Sequence, residues 1–363
     1  MIVLVALLCV ALSIKLVLLL AFLLNFKKEE LITKDQDLPV VSILVAARNE
    51  ESVLKNCIES LLKLDYPMDR IEILLGNDNS TDNTGVICAH YEAQYSFIRT
   101  VEISEDYQGL IAKANVIAQL AAQSTSEVLA IIDADMEVTA QWLRAMVSPT
   151  RQGFDLVSGF SVVKDYGLLS AIQRTDWMNG IFVLKALSDM KQPVTVLGNN
   201  MLITRKAYQT IGGFEAIGPT ATEDNDITLA VVRAGFQVYQ HVNDMGATTE
   251  PMSKAADLFA QRRRWVLGGL RHALPKVLAM FISRSCLLWA LILAIFQPLW
   301  GGILLSSYLI MELMQLLLIY NKSGYLFSLP ASFVTPFFNS VFDTFALFKI
   351  FFSRKIMWKE RKM

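Results

Sequence analysis

From Ile2 to Leu24 nearly every residue is apolar, with Ser13 and Lys15 the clear interruptions. As a helix, that run is long enough to cross a hydrocarbon core about 30 Å thick, which constrains the chain more than any other feature. A second apolar block lies towards the C-terminus, and most of the charge falls between the two, from Pro39 to Leu270. The hydrophobic fraction of 53% over 363 residues exceeds what one globular core requires, and the excess sits in these blocks. The pattern predicts an N-terminal transmembrane anchor over 1–26, a polar linker over 27–38 and a soluble domain over 39–275. A membrane region of two to three helices over 276–352 and a basic tail over 353–363 follow.

The first block does not read as a cleaved leader. Its apolar core is longer than the about 7–15 residues of a leader, and Asn25-Phe26-Lys27-Lys28 follows it in place of a small-residue cleavage site. Lys27 and Lys28 place the next domain in the cytoplasm, which makes the chain an integral protein of the inner or plasma membrane in a bacterial cell. Towards the C-terminus, Cys286 to Tyr320 reads as two helices parted near Gln297-Pro298, and Tyr325 to Phe352 as a third, interrupted by Pro330 and Pro336. Three full crossings would leave Arg354, Lys355 and the basic residues from Lys359 to Lys362 outside. Either the last segment lies in the interface or re-enters, or the positive-inside tendency is broken. Asn339 and Asp343 favour a placement that is not fully exposed to lipid.

A net charge of −1 provides no broad positive field, so nucleic acid is not an expected partner. Cys9, Cys57, Cys88 and Cys286 form no CxxC pair, which fits a reducing compartment and argues against a zinc site. His90, His241 and His272 lack metal-ligand spacing.

The middle region alternates strands and helices. Val40 to Ala47 has the β-branched run of a buried parallel strand and ends in Arg48-Asn49-Glu50-Glu51; apolar residues at helical spacing follow to Leu62. Strand Ile71 to Leu75 leads into Asn77-Asp78-Asn79-Ser80. A helix from Lys113 to Ala122 precedes strand Val128 to Ile132, which runs into Asp133-Ala134-Asp135. Two carboxylate-bearing loops therefore follow two strands, at the end of an open α/β sheet where ligands bind. No GxGxxG follows the first strand and no GxxxxGK[ST] occurs, which removes support for a dinucleotide-binding dehydrogenase or a P-loop enzyme. Alone, an Asp-x-Asp merely ends a strand in a solvated turn. Paired carboxylates are also the hard oxygen ligands with which Mg2+ or Mn2+ is held beside substrate phosphates.

Order adds what a single motif lacks. Asp78, then Asp133 and Asp135, then Thr222-Glu223-Asp224 before an apolar helix, then Gln261-Arg262-Arg263-Arg264-Trp265 succeed one another along the chain. Over Val40 to Trp265 this set resembles the membrane-bound family 2 glycosyltransferases, the group of cellulose, chitin and hyaluronan synthases and ceramide glucosyltransferase. The resemblance implies a GT-A fold: a mixed, mostly parallel sheet flanked by helices, here with transmembrane helices at both ends. It implies a nucleotide-sugar donor, most often a UDP-sugar, held near Asn49, Glu50, Asp78, Lys113 and Asp133. It assigns Asp133 and Asp135 to the nucleotide and its Mg2+ or Mn2+, and Asp224 to the catalytic base of an inverting transfer. Gln261, Arg264, Trp265, Glu223 and Asn199 belong on the same grounds to the diphosphate and acceptor region. Guanidinium forks suit phosphate oxygens and an indole face suits a sugar. Arg262 to Arg264 also fit a basic cluster facing anionic lipid heads.

The chain departs from the family's usual Asp-Asp-Gly-Ser at Asn77-Asp78-Asn79-Ser80, where Asn79 can take the positive φ of the missing glycine. A membrane beside a sugar-transfer site implies a lipid, lipid-linked or polysaccharide acceptor. One helix before and two or three after the domain is closer to the ceramide glucosyltransferase arrangement, so a single addition to a lipid is the favoured expectation. A processive polysaccharide synthase is the alternative. An inert membrane scaffold would have no chemical need for Asp133, Asp135, Asp224 and the Gln-x-x-Arg-Trp residues.

Overall fold

Alternating apolar strands and amphipathic helices between Val41 and Gln240 build a seven-stranded sheet in the computed structural model. The backbone is described for residues 2–220, 222–272, 274–326, 328–352, 357–358 and 361–362; side chains are not described for 1–3, 221, 264, 266–282, 285, 327 and 346–363. The chain divides into an α/β unit, Lys27–Val162 with Lys191–Glu250, and a helical unit, Met1–Phe26 with Val163–Met190 and Pro251–Met363. Elements are numbered in chain order across both.

In the α/β unit the strands are β1 (Val41–Ala47), β2 (Ile71–Asn77), β3 (Ile98–Glu102), β4 (Val128–Asp133), β5 (Met136–Val138), β6 (Leu156–Ser158), β7 (Ser161–Val163), β8 (Asn200–Thr204), β9 (Val238–Gln240) and β10 (Ala247–Thr249). The large sheet runs β3-β2-β1-β4-β8-β6-β9, and β5-β10-β7 form a small one. Strands β3, β2, β1 and β4 are parallel, whereas β8 runs antiparallel to both β4 and β6. The strand order reverses between β1 and β4, the switch point at which a crevice opens beyond the strand ends.

Two-residue alternation sorts the strands into two apolar layers. Ile43, Val45, Ile73, Leu75, Ala130 and Ile132 face α2 (Leu54–Leu61), α3 (Thr84–Gln94) and α5 (Trp142–Val147). Leu44, Leu74, Leu129 and Ile131 face α4 (Ala112–Gln123), α7 (Arg205–Thr210), α8 (Gly213–Ile217) and α9 (Glu223–Arg233). At Gly76 a Cβ would stand 2.4 Å from Val116, so β2 lies against α4 at a distance only glycine permits. The helix predicted from Glu50 begins at Leu54; Asn49 has φ 52° and residues 51–53 form a turn that carries Glu50 past the strand end.

The helical unit comprises α1 (Ile2–Asn25), α6 (Leu168–Asp189), α10 (Ala255–His272), α11 (Leu274–Phe296), α12 (Pro298–Ser323) and α13 (Leu329–Phe352). The segment Val163–Met190, counted with the soluble domain in the sequence reading, packs with this unit instead. Among the described residues two helices are long and apolar enough to cross a membrane, Leu4–Asn25 and Pro298–Ser323, with mean hydropathy 2.8 and 1.9. The break near Gln297 is as expected, and a Cβ on Gly301 would meet the backbone of Ala294 at 2.3 Å, so α11 and α12 form a close hairpin. The expected interruption of the last segment at Pro330 and Pro336 is absent. Pro330 lies in the first turn, where no donor is needed, and α13 continues through Pro336, with Ser332 and Thr335 hydroxyls donating back to Ser328 and Ala331 carbonyls at 2.7 Å.

Several polar residues in these helices are buried. Lys15 of α1 pairs with Glu312 of α12, which also accepts from Asn179 of α6 at 2.6 Å. Asn339 and Asp343 are buried, as their occurrence in an apolar segment led one to expect.

Candidate active site

Register alone brings three chain segments together at the switch point. Ala47 of β1 is paired with Asn77 of β2, and Ala46 with Asp133 of β4, so Arg48-Asn49-Glu50, Asp78 and Asp133-Ala134-Asp135 all emerge from one sheet edge. The first two loops are tied together. Asn49 Oδ1 accepts from the Thr81 N–H at 2.8 Å, the Asn49 N–H donates to Ser80 Oγ at 3.1 Å, and the Glu50 N–H donates to Thr84 Oγ1 at 2.8 Å. Asn79 takes φ 49°, the left-handed geometry expected where relatives have glycine. Asp78 is buried, and Arg48 holds it: Nη1 donates to the Asp78 carbonyl at 2.7 Å and lies 3.7 Å from its carboxylate.

The antiparallel strand β8 delivers the other wall. Ile132 faces Asn200 in the ladder, and the Asp133 N–H donates to the Asn199 carbonyl at 3.1 Å. Lys113, in the first turn of α4, is the hub. Its Nζ lies 2.5 Å from Asp133, 3.6 Å from Glu223 and 2.7 Å from the Gly198 carbonyl, to which it donates. Gly198 in turn lies against Asp224: a Cβ there would be 3.1 Å from the Asp224 Cβ and 3.3 Å from its Oδ2. Helix α9 starts at Glu223, as predicted, because Ile227 and Val231 bury one face while Glu223, Asp224 and Asp226 occupy the first turn. Thr228 Oγ1 donates to the Asp224 carbonyl at 2.6 Å and accepts from the Val196 N–H at 3.1 Å, locking that turn to the Gly198 loop.

The charges perturb one another. Burial first, then the Glu223 charge, raises the Asp224 carboxyl to about 7, against the Asn225 N–H and the Lys113 ammonium. Burial, then Asp133 and Glu50, raises Asp135 to about 6, although Thr249 Oγ1 donates to it at 3.3 Å. Burial opposes the charge on Lys113, but Asp133 and Glu223 outweigh it and keep the ammonium above the usual lysine range. Among the described residues no three His, Cys, Asp or Glu side chains form a metal cage. A divalent ion with one or two carboxylates usually completes its shell from substrate phosphates and water. Asp135, crowded by like charges, is a carboxylate whose ionisation a cation would favour, so this donor set fits Mg2+ or Mn2+.

A profile of glycosyl transferase family 21 matches residues 2–363. The chain belongs to glycosyl transferase family 21. The family 2 resemblance read from the motif order is borne out by its relatives in this family-2-like group. The beta-monoglucosyldiacylglycerol synthase of Synechocystis sp. is 29% identical over 252 residues, 65% of this chain and 49% of that protein, so the chain spans about half that relative's length. The poly-beta-1,6-N-acetyl-D-glucosamine synthase of Staphylococcus epidermidis is 24% identical over 326 residues, 87% of this chain and 76% of that protein. In three dimensions the chain resembles the mannosyltransferase PcManGT from Pyrobaculum calidifontis, solved with GDP-Man and Mn2+, at TM-score 0.54 and 17% identity over 95% of this chain and 96% of that one. The expected GT-A-type fold is thereby borne out.

In this family 21 chain the α/β unit gathers Asn49, Glu50, Asp78, Lys113, Asp133, Asp135, Asn199, Glu223 and Asp224. Gln261 and Trp265 lie on α10 of the helical unit, and the Arg264 side chain lies outside the described residues. Arg262 is buried against Asp176 and Asp343, so it does not face lipid heads as the basic-cluster reading would have it. Sequence reasoning missed Arg48 and Thr249. Arg48 was open to notice as a charge at a strand end; Thr249 is brought to Asp135 only by the pairing of β10 with β5, which no local signal announces.

Proposed function

We propose that the chain is an inverting glycosyltransferase that moves a sugar from a UDP-sugar to a lipid acceptor at a membrane, with diacylglycerol the acceptor class. The observation that carries this reading is the Lys113 hub, which joins the Asp133 loop to Glu223 at 3.6 Å, next to a carboxyl raised to about 7. A general base works best with a pKa near the working pH, and Asp224 meets that condition. Asp224 takes the proton of the acceptor hydroxyl as its oxygen attacks the anomeric carbon. The bond to the diphosphate breaks on the opposite face, which inverts the configuration. Asp78, held by Arg48, accepts from the base of the nucleotide, and Asn49 and Glu50 border the nucleoside.

Asp133 and Asp135 would hold Mg2+ or Mn2+, which when bound offsets the charge that grows on the leaving diphosphate. Gln261 and Arg264 serve the diphosphate and Trp265 the acceptor. The lipid acceptor rests on the relatives named for glucosyldiacylglycerol synthesis and on two helices of membrane-spanning length. The basic residues Lys27 and Lys28 after the first of these support a cytoplasmic side for the α/β unit.

The test is release of nucleoside diphosphate by the detergent-purified chain with UDP-glucose, Mn2+ and diacylglycerol micelles, beside Asp224→Asn and a chelator. Metal-dependent release lost in Asp224→Asn, with one sugar on the lipid, supports the proposal. A second reading, a processive polysaccharide synthase, is favoured by the 87% coverage of this chain by the Staphylococcus epidermidis synthase, and a polymeric product would select it. No turnover and no metal-dependent nucleotide binding would leave a membrane scaffold.

A further inference from the structure

Helix α6 carries none of the residues that the motif order singles out, yet it fixes the indole on which the acceptor reading depends. Trp177 of α6 meets Trp265 of α10 edge-on, with ring centroids 6.0 Å apart and planes at 64°. The Arg262 guanidinium stands 5.6 Å from the Trp265 ring centroid. Arg262 is not free to turn: it pairs with Asp176, the residue before Trp177, and lies 3.6 Å from Asp343 of α13. Arg284 of α11 closes the cluster at 2.5 Å from Asp176 and 2.6 Å from Asp343. Two arginines and two aspartates thus cancel in a set that is buried but for a part-exposed Arg284, with Asn339 of α13 also accepting from Arg262 at 3.4 Å. Such a set has few alternative arrangements, because moving any member leaves a buried charge unpaired.

The Trp265 indole is therefore clamped between an aromatic edge and a cation whose own position is dictated by three other helices. It still keeps 40% of its surface exposed beside these two contacts. An oriented indole with an open face can receive a sugar or an apolar acceptor on it. We propose that Trp177 is a positioning residue for the acceptor, acting by holding Trp265, and that the buried charge cluster of α6, α10, α11 and α13 maintains this geometry. The inference rests on the reading of Trp265 as an acceptor-site residue.

The experiment measures transfer from UDP-glucose to diacylglycerol in mixed micelles with Mn2+, together with UDP·Mn2+ affinity, for Trp177→Ala, Trp177→Phe and Trp265→Ala in the full chain. Trp177→Ala is expected to raise the apparent KM for diacylglycerol by about two- to tenfold, the range of one aromatic pair. UDP·Mn2+ affinity is expected to stay within about twofold, and Trp177→Phe, which retains an edge, to restore most of the loss. Unchanged acceptor KM in Trp177→Ala while Trp265→Ala raises it overturns the inference alone. Unchanged KM in Trp265→Ala, or no transfer to diacylglycerol by the wild type, overturns the acceptor reading and the inference with it. Parallel loss of UDP·Mn2+ affinity in Trp177→Ala and Trp177→Phe would reduce Trp177 to a folding residue.

Discussion

Replacing Asp224 with Asn removes the proposed proton acceptor while keeping nearly the same shape, and it has two effects of opposite sign. Transfer falls by about 10²–10⁴-fold, the range a positioned general base contributes. Stability rises. The carboxyl titrates near 7 in the fold against 3.8 ordinarily, so the folded chain keeps a proton that the unfolded chain has lost. The stabilisation tied to that proton is complete below 3.8 and is lost as pH climbs to about 7. Each pH unit in that window carries about 1.4 kcal/mol, so by pH 8 the wild type has lost about 2–4 kcal/mol that Asp224→Asn does not lose. With the α/β unit as the body that unfolds, and at about 2–4 °C per kcal/mol, the variant should melt about 5–10 °C higher than the wild type at pH 8. The gap should shrink to roughly two fifths at pH 5. Scanning fluorimetry of the detergent-solubilised, nucleotide-free protein measures the gap, and nucleoside diphosphate release measures transfer. A gap that stays level between pH 5 and pH 8 refutes a raised Asp224. A variant that keeps more than about a tenth of wild-type transfer refutes its role as base.

The wild-type rate should fall on the acid side of about 7, and the two charged neighbours of Asp224 should move that limb in opposite directions. Glu223→Gln removes a like charge and shifts it to lower pH, Lys113→Met removes a favourable one and shifts it higher; equal shifts in one direction would contradict the charge assignment. Mn2+ affinity, read by calorimetry, should weaken as pH drops through about 6, where Asp135 takes up its proton, and Glu50→Gln should move that loss to lower pH. Gly198→Ala puts a Cβ 3.1 Å from the Asp224 Cβ and should lower kcat about tenfold while UDP·Mn2+ binding holds; an unaltered kcat would mean that the carboxyl tolerates displacement.

Much of this site was legible because it is built from local signals. Val41 to Ala47, Ile71 to Asn77 and Val128 to Asp133 announce themselves as buried strands, and parallel pairing then forces their following loops to one edge, so Asp78, Asp133 and Asp135 meet without any long-range inference. The start of α9 was equally open to reading, since acids before an apolar helical face mark an N-terminus. Arg48 and Lys113 illustrate the limit. Both stand at element ends where charges abound, and only the tertiary packing shows that Arg48 faces the Asp78 carboxylate and that Lys113 reaches Asp133, Glu223 and the Gly198 carbonyl together.

The helical unit hid more, for a physical reason. Apolar periodicity reports which residues avoid water, but in a segment that is apolar all round it does not say which side faces protein. There the polar exceptions carry the orientation, and their partners lie far away in the chain: Asp176 finds Arg262 and Arg284, and Lys15 finds Glu312. A run such as Arg262-Arg263-Arg264 looks like one basic patch when read along the chain, yet helical geometry sends neighbours about 100° apart, so one member can be buried in an ion cluster while the next is not. Arg262 is that member, and its carboxylate partners come from α6 and α13. The position of an exposed tryptophan can thus be set by charges that never touch the ligand, which is why Trp177 and Asp176 belong with Trp265 although no spacing along the chain connects them.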